Sequence, residues 1–245
     1  MKGVPLVVGV GEVGSPLYKI VKEVYPEAEW LDVEPKKIEK KISIMHICFR
    51  YSTSFVADAV NYIKQFQPEL TLIESTVLPF TTHKIYQKTQ EPICHSPIRG
   101  RTADGFSWGF FTYTKFIGPV SEEFGRMADE YYKSLGFKTR LCKSSLETEF
   151  MKILNTTYYG LMIAWFQEVD RICNKFNLNK EDVIEFMRST EKESGGKHPR
   201  PIFYPDYIGG HCVVPNAKLL NQVYQSKFVE TLLESNEKTR SQTEL

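Results

Sequence analysis

A short apolar run from Pro5 to Val10 predicts a buried strand, and the residues after it, Leu17 to Tyr25, switch to helical spacing. The alternation then repeats. Strand-like segments occur at Glu29 to Val33, Ile42 to Phe49, Leu70 to Glu74 and Lys115 to Ile117. Helical segments lie between several of them, notably Phe55 to Phe66 and Glu122 to Leu135. Strands alternating with helices predict an α/β fold, a Rossmann-type doubly wound parallel sheet covered on both faces.

After Cys142 the pattern becomes helical throughout. Ser144-Ser145-Leu146-Glu147 fits a capping box, in which serine and glutamate side chains satisfy donors at a helix start. Helical spacing then continues to about Phe176, which predicts a central helix on the order of 45 Å long. A second helix is expected from near Asn179 to Arg188, and a last one from Pro215 to about Leu233, followed by a fraying polar tail. The stretch from Ser194 to Gly210 is rich in proline and glycine and reads as a loop. The expected domains are therefore residues 1–143, a dinucleotide-binding unit, and 144–245, a smaller all-helical one.

Composition changes this picture little. Of 245 residues, 42% are hydrophobic and 25% charged, which suits a globular chain with a sizeable core. A formal net charge of +1 gives no global reason to expect nucleic acid or an anionic membrane as partner. The most apolar stretch, Tyr158 to Phe166, is too short to span a bilayer. Cys48, Cys94, Cys142, Cys173 and Cys212 are odd in number and widely scattered, which speaks against a disulfide framework. With no targeting segment read ahead of the first strand, a cytoplasmic location is expected.

Chemistry enters at the first turn. Gly9-Val10-Gly11-Glu12-Val13-Gly14 is a GxGxxG between a strand and a helix. Its first glycine suits a tight turn, the second a close approach of pyrophosphate, and the third close packing of helix on strand. Asp32 lies 18 residues after Gly14, at the end of the second strand, where a carboxylate takes ribose hydroxyls and favours NAD over NADP. Lys36 and Lys37 leave some room for NADP.

Two further features point to a reacting centre. Gly209-Gly210-His211-Cys212 precedes Pro215 at a helix start, a setting in which the helix dipole favours a thiolate; a packed, inert cysteine is the alternative. On the central helix Lys152, Asn155, Thr156 and Tyr159 form a polar stripe. That stripe is either a solvated face or the means by which Lys152 presents a cation to a developing oxyanion. His46 with Cys48, Cys94 with His95, and His211 with Cys212 lack the ligand spacing of a zinc site, so no metal is expected.

Together these motifs resemble the UDP-glucose/GDP-mannose dehydrogenase family over nearly the whole chain. Besides the glycine loop, the similar segments are Leu31-Asp32-Val33-Glu34-Pro35-Lys36-Lys37-Ile38-Glu39, Met45-His46-Ile47-Cys48 and Ile73-Glu74-Ser75-Thr76-Val77-Leu78-Pro79. The central helix from Glu147 to Glu168 and the Tyr207-Ile208-Gly209-Gly210-His211-Cys212 loop complete the likeness. The resemblance implies oxidation of a sugar alcohol carbon with NAD, through a thiohemiacetal and a thioester on Cys212. It makes Lys152 the oxyanion stabiliser and sets Ser75 and Thr76 by the nicotinamide. Gly9, Gly11, Glu12, Val13, Gly14 and Asp32 become cofactor residues, and Asn155, Thr156, Gly209 and Gly210 substrate residues. It further implies a sugar or sugar nucleotide as substrate and a homodimer formed through the central helix.

The chain departs from the family where water must be activated. The family aspartate four residues after the cysteine is Asn216 here, and its "SPE" glutamates fall at Ile98 and Thr102. Its central-helix asparagine corresponds to Thr156, with Asn155 one place early. The resemblance also implies a shortened member without the family's C-terminal domain. Two expectations follow: a dehydrogenase whose hydrolytic step is impaired, or a catalytically silent NAD-binding dimer with a regulatory or scaffold role.

Overall fold

The computed structural model describes residues 2–34, 36–100 and 106–243. They fall into two compact units, Met1–Lys152 and Ile153–Leu245, and the division lies inside the central helix.

In the first unit the described residues form one seven-stranded sheet in the order β2-β1-β3-β4-β5-β6-β7. The strands are β1 (Val4–Val8), β2 (Glu29–Leu31), β3 (Ile42–Ile47), β4 (Leu70–Ile73), β5 (Ile93–His95), β6 (Lys115–Pro119) and β7 (Thr139–Leu141). All neighbours pair in parallel except β5 with β6, which run antiparallel. The helices of this unit are α1 (Gly14–Val24), α2 (Phe55–Phe66), α3 (Thr81–Thr89), α4 (Phe106–Thr112) and α5 (Glu122–Ser134).

Strand alternation divides the core in two. On one face Ile44, Leu70 and Leu72 pack with Leu17 and Val21 of α1 and Ala128 and Tyr131 of α5. On the other, Leu6, Val8, Met45, Ile47 and Ile73 pack with Phe55, Ala59 and Ile63 of α2 and Ile85 of α3. Every residue of β3 is buried, which explains why its sequence is apolar on both faces, broken only by Ser43 and His46, rather than an alternation. The chain reverses its direction of winding between β1 and β3, and ligands of open α/β sheets bind at the strand ends beside such a point.

The expected elements hold, with shifted ends, except the terminal helix. β1 stops at Val8 because Gly9 turns away with φ +88°. β2 stops at Leu31, and α7 (Lys180–Glu193) runs past Arg188. The three-residue strands β5 and β7 and the helices α3 and α4 escaped the pattern. Three residues are too few to show a period, and α3 buries only Thr81, Thr82 and Ile85.

The central helix α6 (Ser145–Phe176) starts as the capping box predicts. Glu147 N–H donates to Ser144 Oγ at 3.4 Å, while Lys143 and Ser144 N–H groups donate to Glu147 Oε2 at 2.7 and 3.3 Å. Its first residues are tied to the sheet unit by Glu149, which takes the N–H of Phe80 at 2.6 Å and the N–H and hydroxyl of Thr82 at 2.8 and 2.7 Å. That carboxylate does for α3 what no N-cap side chain does, since Phe80 occupies the cap position with φ 75°. Burial raises the pKa of Glu149.

The single terminal helix expected from Pro215 to Leu233 is two helices, α8 (Val213–Val223) and α9 (Lys227–Thr243). Tyr224, extended at φ −146°, breaks them. The tail expected to fray is the second half of α9. Its polar residues Ser235, Asn236 and Thr239 are buried, and a hydrophobic pattern does not register burial of that kind. Among the described residues no helix is long and apolar enough to cross a membrane.

Candidate functional site

In the sheet unit the glycine loop follows from close packing. A Cβ on Gly9 would stand 2.8 Å from the N of Phe49, and one on Gly14 would stand 1.8 Å from the carbonyl O of Gly9. Backbone crowding therefore demands both glycines. Gly11 is different: its φ is unexceptional and no protein atom lies within 4 Å of where a Cβ would be. The protein's own packing gives no reason for glycine there, whereas a pyrophosphate approaching the backbone does. Val13 caps α1 without a side-chain bond, and the first turn holds no acid, so the helix end suits an anion. Glu12 is exposed beside it.

Asp32 comes next to this loop through the sheet. Gly9 N–H donates to Leu31 O at 2.8 Å, and Asp32 Oδ1 accepts the Val33 N–H at 2.9 Å. Lys36 pairs with Glu29 at 2.6 Å and lies 5.3 Å over the Trp30 ring, and Lys37 pairs with Glu39 at 2.6 Å. Ser75 donates its hydroxyl to Phe49 O at 2.6 Å, which joins the ends of β3 and β4 directly below Gly9. Thr76, the next residue, is half-buried.

Beneath these strand ends is a buried polar network that the sequence reading missed. Glu74 Oε1 accepts from Tyr132 OH at 2.6 Å and lies 2.8 Å from His46 Nδ1, while Lys115 donates to Glu74 Oε2. His46 Nε2 lies 2.8 Å from Tyr131 OH, and Lys115 also donates to Ser96 O at 2.5 Å. Burial works to raise the Glu74 carboxyl, but the Lys115 charge and the His46 hydrogen bond outweigh it and hold the pKa at about 2. Desolvation lowers that of Lys115. His95, with Nε2 3.0 Å from Ser75 O and Nδ1 2.8 Å from Thr148 Oγ1, is pushed by burial down to about 3 and is neutral. It therefore donates to Ser75 O and accepts from Thr148. The signal for Glu74 and Lys115 was present as charges in apolar runs, but nothing in one sequence pairs residues 41 positions apart.

Lys152, the last residue of this unit, donates to Ile98 O at 2.7 Å and is partly buried. Ile98 is buried, and Thr102 lies outside the described residues.

The helical unit holds the other expected residues. Cys212 is exposed and is itself the N-cap of α8, with no side-chain cap bond. Asn216 is buried; its N–H donates to Cys212 O at 3.1 Å and its Nδ2 to Thr156 Oγ1 at 3.0 Å. Thr156 Oγ1 in turn donates to Ile153 O at 2.9 Å. Two of the positions that depart from the family pattern are thus each other's partners. Asn155 is exposed, Gly210 turns with φ +78°, and Gly209 N–H donates to Tyr207 O at 3.1 Å. A Cβ on Gly160 of α6 would meet Val213 Cγ1 at 2.5 Å and Leu232 Cδ1 at 2.7 Å, so the bare helix backbone seats the residue next to the cysteine. Among the described residues no group of three or more His, Cys, Asp or Glu could hold a metal ion.

Comparison with known proteins bears on the family and the fold. Residues 146–239 match the central domain of the UDP-glucose/GDP-mannose dehydrogenase family. The UDP-N-acetyl-D-mannosamine dehydrogenase of Methanococcus vannielii is 30% identical over 191 residues, which cover 76% of this chain and 43% of the relative. The UDP-glucose 6-dehydrogenase of Campylobacter jejuni is 24% identical over 225 residues, covering 89% of this chain and 55% of the relative. The chain thus spans about half the length of these relatives. In fold it is similar to the UDP-D-ManNAc dehydrogenase of Pyrococcus horikoshii, with a TM-score of 0.81 at 19% identity over 97% of this chain and 69% of that one. Residues 146–239 thus carry the central domain of the UDP-glucose/GDP-mannose dehydrogenase family, and the chain as a whole is similar to members of that family.

Proposed function

We propose that this chain is an NAD-dependent oxidoreductase acting on a sugar alcohol carbon, with a sugar nucleotide as the substrate class. The observation that carries the cofactor reading is the contrast among the three glycines. Gly9 and Gly14 answer to the protein's own backbone, and Gly11 answers to none of it. Asp32 would take the ribose hydroxyls, with Ser75 and Thr76 towards the nicotinamide. Pairing of Lys36 and Lys37 with glutamates supports NAD over NADP, because neither lysine is held for a 2′-phosphate. When bound, NAD accepts the hydride in each oxidation.

The chain's own residues would do the rest. Loss of a proton and a hydride converts the alcohol to an aldehyde. The Cys212 thiolate adds to that carbonyl carbon, and Lys152 offsets the charge on its oxygen as a thiohemiacetal forms. A second hydride loss gives a thioester, which water hydrolyses to the carboxylate and free thiol. General acid–base groups are worth roughly 10²–10⁴ in such steps. Asn216, whose amide is spent on Thr156, is no base, so hydrolysis is the slow step in this reading. UDP-N-acetylmannosamine and UDP-glucose, the sugar nucleotides in the relatives' names, are the first substrates to try. A homodimer through α6 fits the exposed Leu154, Tyr158 and Trp165 on that helix.

The test is incubation of pure protein with NAD and a panel of sugar nucleotides and simple sugar alcohols, followed by NADH absorbance and intact mass. NADH together with an acyl adduct on Cys212 is expected. Tight NAD binding with no NADH from any of them would overturn the enzymatic reading. Gly11→Ala is expected to weaken NAD binding by about tenfold or more with unfolding unchanged, because only the ligand needs that space.

A further inference from the structure

We propose that Asn236, on the terminal helix α9, is a positioning residue that sets the Cys212 thiol at the start of α8. The inference rests on reading Cys212 as the nucleophile and adds to it a residue outside the Gly-Gly-His-Cys loop. Residues 199–209 belong to no helix or strand, so the backbone that delivers Cys212 has no ladder of its own to hold it. Asn236 provides one. Its Oδ1 accepts the Ile208 N–H at 2.7 Å and its Nδ2 donates to Ile208 O at 3.2 Å. One side-chain amide thus pairs with both backbone groups of one residue, as a neighbouring strand would.

The clamp is itself fixed. Asn236 and Gln167 are each only 1% exposed. Gln167 Nε2 donates to Asp206 O at 2.7 Å and stands 3.3 Å from Asn236 Oδ1, while its Oε1 accepts from Ser235 Oγ at 2.9 Å. Arg171 donates to the hydroxyls of Ser235 and Thr239 at 2.6 and 3.1 Å. Gln167 of α6 and Asn236 of α9 therefore hold the stretch 206–208, with Ser235 bonded to Gln167 and Arg171 bonded to Ser235 and Thr239.

Between that stretch and the cysteine lie Gly209, Gly210 and His211. A Cβ on Gly210 would meet nothing within 4 Å, and one on Gly209 would meet only the Tyr207 ring. Two loosely packed glycines cannot hold a thiol by themselves. The position of Cys212 is therefore set from both sides, by Ile208 under Asn236 and by Val213 seated on Gly160.

The experiment compares the full chain with Asn236→Leu, which keeps the volume and removes both bonds, and Asn236→Asp, which keeps the acceptor for Ile208 N–H. Iodoacetamide labelling of Cys212 is followed by peptide mass, and hydrogen exchange is followed over residues 206–216 and over α6. In the Leu variant the labelling rate at pH 7 is expected to fall about fivefold, as the thiol leaves the helix start. Exchange over 206–212 is expected to rise about tenfold, with α6 unchanged. The Asp variant is expected to recover at least half of both effects, a rescue that a volume-filling role would not give. Wild-type labelling and exchange in a folded Leu variant overturn the proposal. If the Leu variant does not fold, Asn236→Ala, which also removes both bonds, takes its place: labelling and exchange identical to wild type then overturn the proposal. Failure of the underlying reading looks different. Wild-type Cys212 would then label no faster than free glutathione, whatever the variants do.

Discussion

The two units bury polar groups in opposite ways. The sheet unit buries charge: Glu74 and Lys115 meet in the core with His46, Tyr131 and Tyr132 around them. The helical unit buries mainly neutral amides and hydroxyls, Gln167, Ser235 and Asn236, with the Arg171 guanidinium at the edge. A charged network is costly to break and titrates. A neutral one tolerates acid and holds backbone without demanding a counter-charge. The first suits strand ends that must stay rigid over a wide span, the second a loop that carries a thiol.

The sharpest way to break this contrast is Lys115→Met. It leaves the Glu74 carboxylate buried without its cation and is expected to cost about 3–5 kcal/mol in denaturant unfolding of the sheet unit. Adding Glu74→Leu is expected to restore most of that loss. If the double variant is as unstable as the single one, charge pairing is not what matters there.

Acid gives the next effect. His95 has an ordinary pKa of 6.5 when unfolded and about 3 in the fold. Between those values the unfolded chain holds the extra proton, so stability falls as pH falls, by up to about 1.4 kcal/mol per pH unit. Glu74, also depressed in the fold, stabilises above 4.5 and loses that contribution as pH drops towards about 2. Hydrogen exchange at pH 7 and pH 5 is therefore expected to show the sheet unit loosening and the Gln167–Asn236 network unchanged. The reverse order would remove the contrast.

Gly160→Ala sharpens the neutral side and has the smallest effect. A methyl group there meets Val213 and Leu232, and overpacking typically costs about 1–3 kcal/mol. The gain in helix propensity, about 1 kcal/mol, offsets part of it. A drop in the thermal midpoint of the helical unit, with Cys212 labelling altered in parallel, is the expected result.

What the sequence reveals divides along the same line. Signals that are local in the chain were legible: the glycine loop, the largely apolar β3, the Ser144–Glu147 capping box and the helix start at Cys212. Each is decided by residues within a few positions of one another. Interactions between distant residues were not. Ile208 and Asn236 are 28 positions apart, and Asn236 sits in what reads as a polar tail because hydrogen bonding, not apolarity, buries it. The Thr156–Asn216 pair was visible only as two separate departures from a family pattern, although the two side chains bond each other.

The central helix has one more consequence, for the order of events during folding. Its first residues belong to the sheet unit, where Thr148, Glu149 and Lys152 fasten them, and from Ile153 the same helix belongs to the other unit. Starting a helix is the unfavourable step, and lengthening one adds a hydrogen bond for each residue fixed. Once the sheet unit has closed on residues 145–152, the helical unit inherits a formed turn and needs no nucleus of its own. A chain leaving the ribosome N-terminus first would then build its second half on a seed already anchored.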